Sequence, residues 1–224
     1  MLNYILNSRT ILIFILPFVA GLLTVFSFQP FNFTIVNFVV LPMLFLIMSN
    51  VNKRSKSRYR KKPYYKNFFY IGYLFGIGFF LSGVYWISYS LTFDENLKAI
   101  IPFSLVLIPL SLGLFFGIAS LISGPFLKND YKSFFLFCLI YSLTDYVRGK
   151  IFSGFPWNLW SYTWSWFAEI IQILNLIGLY AFNSISIVLF CSPVIFFFKN
   201  KYKYYFLSFF GLILFSLFIY GSFK

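Results

Sequence analysis

Residues 67–93 carry no charged side chain, and neither do residues 99–127. An α-helix rises about 1.5 Å per residue, so about 20 apolar residues cross the ~30 Å hydrocarbon core of a bilayer. Both runs exceed that length. Three more apolar stretches reach about 18 residues and two others come close to it. Composition agrees. Only 10% of the chain is charged, against about 25% in soluble domains, and its mean hydropathy is +0.83. The chain is therefore expected to be all-α: a polytopic integral membrane helix bundle.

The apolar runs and their breaks place about seven transmembrane helices, near residues 10–28, 34–50, 67–91, 99–127, 133–152, 178–198 and 204–222, in a single membrane domain over 1–224. The first stretch lacks a short apolar core followed by a small-residue cleavage site, so it reads as a retained helix. Pro30 breaks the chain in QPFNF. The run over 99–127 is too long to stand upright, which predicts tilt or a kink near Pro102 or Pro109. With the N-terminus inside, the inner loops hold Arg9, eight bases in 53–66, two in 128–132 and three in 199–203. Only Lys98, Arg148, Lys150 and Lys224 fall outside, so the positive-inside bias predicts N-terminus in and C-terminus out.

Several chemistries are poorly supplied. The chain has no histidine, which removes the commonest general base and the commonest metal ligand; neither a metal nor a cofactor is expected. Cys138 and Cys191 sit inside separate apolar stretches without a neighbouring base, as packing residues and not as activated thiolates. Asp94, Glu95 and Asp130 lie in short polar loops and read as solvated. The 35 phenylalanines are spread over every segment, which fits a composition bias better than a Phe-lined cavity. The basic, tyrosine-bearing loop 53–66 invites a nucleic-acid reading, but beside a membrane helix it reads as an anchor for anionic headgroups; no nucleic acid partner is expected.

One stretch breaks the pattern: TDYVRGKIFSGFPWNLW, residues 144–160. From Ser133 to Thr144 the fifth helix covers only about 18 Å. It must continue to about Phe152 to reach the far surface, which leaves Asp145 and Arg148 at outer-leaflet depth. Charges there are costly and are a functional hypothesis by default. Three residues apart, the two share a helix face and can pair. The pair is either a functional site or a structural tie. Gly154 and Pro156 then break the helix, and Trp157 and Trp160 suit the headgroup interface. Glu169, Gln172 and Asn175 recur every three residues, which makes 153–177 an interfacial or re-entrant segment, lining a polar cavity or simply lying on the surface.

In order along the chain, FSFQPFNFTIVNFVVLPML (26–44), GYLFGIGFFLSGVYWISYSL (72–91) and TDYVRGKIFSGFPWNLWSY (144–162) are similar to segments of the membrane domain of the apolipoprotein N-acyltransferase family. The third, an acid-x-x-Arg-Gly…Gly-Phe-Pro-Trp pattern, is the most specific. Gln172, Gly178 and Tyr180 fit the family's following Gln…Gly-x-Tyr. The chain departs from the pattern in having Asp145 where the family usually has Glu, Ser161-Tyr162-Thr163-Trp164 where it has Gly-Tyr-Ser-Gln, and Ala181 where Gly is common.

The resemblance implies a multi-pass protein of the bacterial inner membrane. In that family a periplasmic nitrilase-like domain carries a Glu-Lys-Cys triad. It takes an acyl chain from phospholipid as a thioester and passes it to the α-amine of a diacylglyceryl-cysteine lipoprotein. This chain ends at Lys224, where that domain would begin, and neither cysteine matches the nucleophile. The expectation is a membrane module with no catalytic residues, inactive by itself. It would admit phospholipid and diacylglyceryl lipoprotein through a cavity rimmed by Asp145, Arg148, Phe155, Pro156 and Trp157, with Gln172 nearby. Arg148 would hold a lipid phosphate, and Trp157 would pack on a glycerol or acyl chain. The alternatives are a scaffold subunit for a separately encoded nitrilase-like chain and a small transporter built on the Asp145–Arg148 pair.

Overall fold

The computed structural model describes residues 10–55, 64–151 and 154–224. Arg9 and most of the basic loop, 56–63, lie outside the described residues. So do positions 152 and 153, where the fifth helix was expected to end.

The described residues form an all-α bundle with no strand among them. After a π-helical turn at Ile11–Ile15, α1 covers Leu16–Leu23 and ends in a 3-10 turn, Thr24–Ser27. Helix α2 is Asn37–Ser55 and α3 is Tyr65–Val84, which runs on as 3-10 helix through Tyr85–Phe93. Helix α4 is Ile101–Ser123, α5 is Tyr131–Arg148, and two single turns follow, α6 (Ala168–Ile171) and α7 (Leu174–Ile177). Helix α8 is Leu179–Cys191, extended by a 3-10 turn at Ser192–Phe197, and α9 is Lys203–Ser222.

Five of these units are long and apolar enough to cross a membrane: Thr34–Arg54, Tyr65–Phe93, Glu95–Phe126, Leu179–Phe197 and Lys203–Ser222. The other two expected spans correspond to the shorter apolar Ile11–Ser27 and to α5, which has the length but carries Lys132, Asp145 and Arg148. Pro102 falls in the first turn of α4, where its missing N–H costs nothing. The helix runs unbroken through Pro109.

Helix α3 lies between α1 and α4. Lipid tails are as apolar as leucine, so helices in a bilayer gain by close van der Waals packing across small residues. A Cβ at Gly21 would overlap the carbonyl of Phe75, one at Gly78 would overlap the carbonyl of Phe18, and one at Gly76 would fall against Gly113. Beneath these contacts Phe75, Phe79, Phe80, Phe116 and Trp160 are buried together, with the Phe79 and Trp160 rings 5.1 Å apart. Phenylalanine is thus both core and surface here: Phe209, Phe215 and Phe218 lie on the outward side of α9. All three loop acids do more than meet solvent: Glu95 pairs with Lys98. Asp94 accepts from the Asn96 N–H at 2.9 Å, and Asp130 caps α5 by accepting from the Ser133 N–H at 2.8 Å, as short polar side chains do at helix starts.

Candidate functional site

The last turn of α5 holds the charged pair. Arg148 Nη2 donates to Asp145 Oδ1 at 3.0 Å, and both residues are 1% exposed. Two buried charges are tolerated only when hydrogen bonds satisfy their remaining atoms. Here Asp145 Oδ2 accepts from Asn183 Nδ2 on α8 at 2.9 Å, while Asn183 Oδ1 accepts from the Ser161 N–H at 3.1 Å. Arg148 Nη1 donates at 2.8 Å to the carbonyls of both Phe155 and Trp157. Its guanidinium lies 5.1 Å from the centre of the Phe80 ring, within cation–π range.

The chain reverses to bring those carbonyls back. The α-helix stops at Arg148, before the expected 152, with Gly149 as its cap. Gly154 is left-handed, at φ 76°, which a side chain resists. The Phe155 N–H then returns to the Arg148 carbonyl at 3.2 Å. Arg148 therefore clasps the Phe-Pro-Trp turn that follows its own helix.

The rest of this segment is tied into the bundle. Trp160 is fully buried against Phe75 and Phe79. Thr34 Oγ1 donates to the Thr163 carbonyl at 2.7 Å, and Asn37 Nδ2 donates to Thr163 Oγ1 at 3.1 Å. Trp166 Nε1 donates to Thr34, and Trp164 Nε1 to Ser186 on α8. Trp157 and Trp166 are the exposed tryptophans of this group. Trp157 is half exposed and meets Trp86 edge to face at 5.4 Å.

Beside the clasp lies a cavity of about 390 Å³. Leu107, Ile108, Leu112 and Phe115 of α4 form one wall, and Ile151, Gly154 and Phe155 form the other with Arg148. Its lining is apolar apart from Ser111 and Arg148. A lining of this kind matches the chemistry of a hydrocarbon chain and offers few polar groups. Among the described residues no group of three His, Cys, Asp or Glu side chains is placed to hold a metal ion. Cys138 and Cys191 are both buried.

The structure brings Asp145, Arg148, Phe155 and Trp157 into one hydrogen-bonded unit, with Pro156 held between the last two. Gln172 stands apart, exposed on the turn between α6 and α7. The three-residue polar stripe is not one helix face, because the helix breaks at Gln172 and Ile173. Three of the five N–H donors of Arg148 are taken, and its buried Nε–H has no hydrogen-bond partner among the described residues. Sequence reasoning missed Asn183. Its signal was a lone amide inside an apolar helix, which in lipid needs a partner.

Residues 20–193 match the family model described as the apolipoprotein N-acyltransferase N-terminal domain. The chain is 41% identical over 131 residues to an apolipoprotein N-acyltransferase of Rickettsia bellii, covering 58% of this chain and 26% of that protein. It is 31% identical over 190 residues to that of Rickettsia typhi, covering 84% and 36%. Against that of Sinorhizobium medicae it is 28% identical over 182 residues, covering 80% and 33%. The matched region is thus about a quarter to a third of the length of these relatives.

Proposed function

The chain belongs to the apolipoprotein N-acyltransferase family, and from that premise we propose that it is a lipid-admitting membrane module of such an enzyme, in a bacterial inner membrane. The observation that carries this reading is the apolar cavity of about 390 Å³ walled by α4 and by the turn that Arg148 clasps. It lies within the matched region and at the end of α5, where a lipid from the adjacent leaflet can enter sideways. A phospholipid acyl chain occupies the cavity. Trp157 and Trp86 flank it at the headgroup level, a depth that suits tryptophan. Asp145, Arg148 and Asn183 act as positioning residues. They hold the Phe155-Pro156-Trp157 turn in place, and of the three only Arg148 also lines the cavity.

By this reading the lipid is the acyl donor and a diacylglyceryl lipoprotein is the acceptor. The nitrilase-like chemistry comes from residues other than these 224, in the same or a separate polypeptide. A transporter built on the ion pair is less well supported, because a solute would have to reach two side chains that are 1% exposed.

A photoreactive phospholipid with a diazirine in its acyl chain tests the proposal. Incorporated into membranes with this chain, it should label peptides containing Ile87, Leu112 and Phe155, and Ser111→Trp, which fills the cavity, should abolish that labelling. Labelling spread evenly over all outward-facing helices and indifferent to Ser111→Trp would refute it. The same chain, purified alone with phospholipid and a diacylglyceryl peptide, should show no acyl transfer.

A further inference from the structure

A second, larger space lies at the other end of the bundle. A groove of about 700 Å³ runs along α2 between the first helix and the turn after α8. Its long part is apolar, formed by Leu16, Phe38, Val39, Met43 and Leu46. Its mouth is polar, at Ser49, Lys53 and Asn129. These three residues also line an adjoining cavity of about 460 Å³, which adds Lys128 and Lys199. One continuous site therefore has three ammonium groups at its mouth and a hydrocarbon channel behind them.

We propose that this groove binds an anionic phospholipid, with the phosphate at Lys53, Lys128, Lys199 and Asn129 and one acyl chain laid along α2. Three observations carry the assignment. First, the charge lacks an internal partner: among the described residues none of the three lysines makes an ion pair, and the neighbouring Asp130 carboxylate is turned to the Ser133 N–H. Second, the mouth is held in shape. Ser49 Oγ donates to Asn129 Oδ1 at 2.6 Å, which leaves the amide Nδ2 of Asn129 as a donor. Asn52 Nδ2 ties α2 to the Leu127 carbonyl at 2.6 Å. Third, the length suits a chain. From Lys53 back to Val39 along α2 is about 21 Å, more than half of the ~30 Å hydrocarbon core, so a chain anchored at the mouth reaches the bilayer midplane while staying against protein.

The site is separate from the cavity beside Arg148. Asn129 precedes the first turn of α5 and Arg148 closes its last, and that helix is about 27 Å long. The two spaces therefore lie at opposite ends of that helix, and the groove does not depend on the acyl-donor reading of the other.

Native mass spectrometry of the purified chain, in detergent micelles doped equally with phosphatidylglycerol and phosphatidylcholine, tests this. Phosphatidylglycerol should be retained at least tenfold better. The triple variant Lys53→Gln, Lys128→Gln, Lys199→Gln should lose that preference, and the corresponding triple arginine variant should keep it. Leu46→Trp, which fills the channel and leaves the lysines in place, should also release the lipid. Equal retention of the two lipids would overturn the proposal. So would unchanged retention in Leu46→Trp, which would mean charge attraction at the surface only. Competition by inorganic phosphate as effective as that by the lipid would assign the mouth to a free anion and overturn it equally.

Discussion

Arg148 Nη1 donates at 2.8 Å to the carbonyl oxygen of Trp157, nine residues further along the chain. The same nitrogen holds the carbonyl of Phe155, and the neighbouring Nη2 holds Asp145. One side chain thus joins the end of α5, the turn after it and, through Asp145 and Asn183, helix α8.

Arg148→Ala leaves a buried carboxylate and two loop carbonyls without their donor. A broken buried ion pair costs about 3–5 kcal/mol, so thermal unfolding in detergent, followed by tryptophan fluorescence, should shift sharply downward. Arg148→Lys retains the charge but lacks the planar fork that reaches three acceptors. It should recover only part of the loss. A full recovery would mean that charge alone matters and that the clasp does not.

Asn183→Leu removes the donor to Asp145 Oδ2 and the acceptor of the Ser161 N–H at once. Each buried polar group left unpaired costs about 1–3 kcal/mol. Because both side chains donate to the same Asp145 carboxylate, Asn183→Leu and Arg148→Ala should be non-additive in a double-mutant cycle. Strict additivity in measured unfolding free energies would separate the α8 contact from the clasp.

Two glycines offer a paired test of packing. Gly78→Ala places a Cβ against the main chain of Phe18, which cannot step aside, and should destabilise the α1–α3 contact. Gly211→Ala meets nothing within 4 Å on α9. Alanine is the better helix former by about 1 kcal/mol, so this variant should match or exceed the parent in thermal stability. Equal effects from the two would contradict the close approach of α1 and α3.

The charge distribution over the polar loops predicts an orientation that reporter fusions can check. Alkaline phosphatase joined after Lys224 should be active, and the same reporter within 128–132 should not. A cytoplasmic signal at Lys224 would require one fewer or one more crossing.

Helix content and helix order were legible in the sequence because lipid burial depends on local composition. The uncharged run over 67–93 announces α3 whatever its neighbours do. The spacing of Asp145 and Arg148 announces their pairing, since three residues along a helix place two side chains on one face. The helix end was less legible. Depth arithmetic carried α5 to 152, whereas it stops at Arg148 because Gly149 and Gly154 let the chain fold back.

By itself the sequence determined that this chain is a membrane helix bundle, and it marked residues 144–160 as the place where the oil-filled pattern breaks. Only the tertiary structure decided what the break is for. The acceptors of Arg148 include two backbone carbonyls, which every residue possesses, so no residue type in the sequence identifies them. The other partner of Asp145 is Asn183, 38 residues away on a different helix. No periodicity links positions so far apart; their contact exists because α5 and α8 pack together, and that packing is a property of the whole bundle.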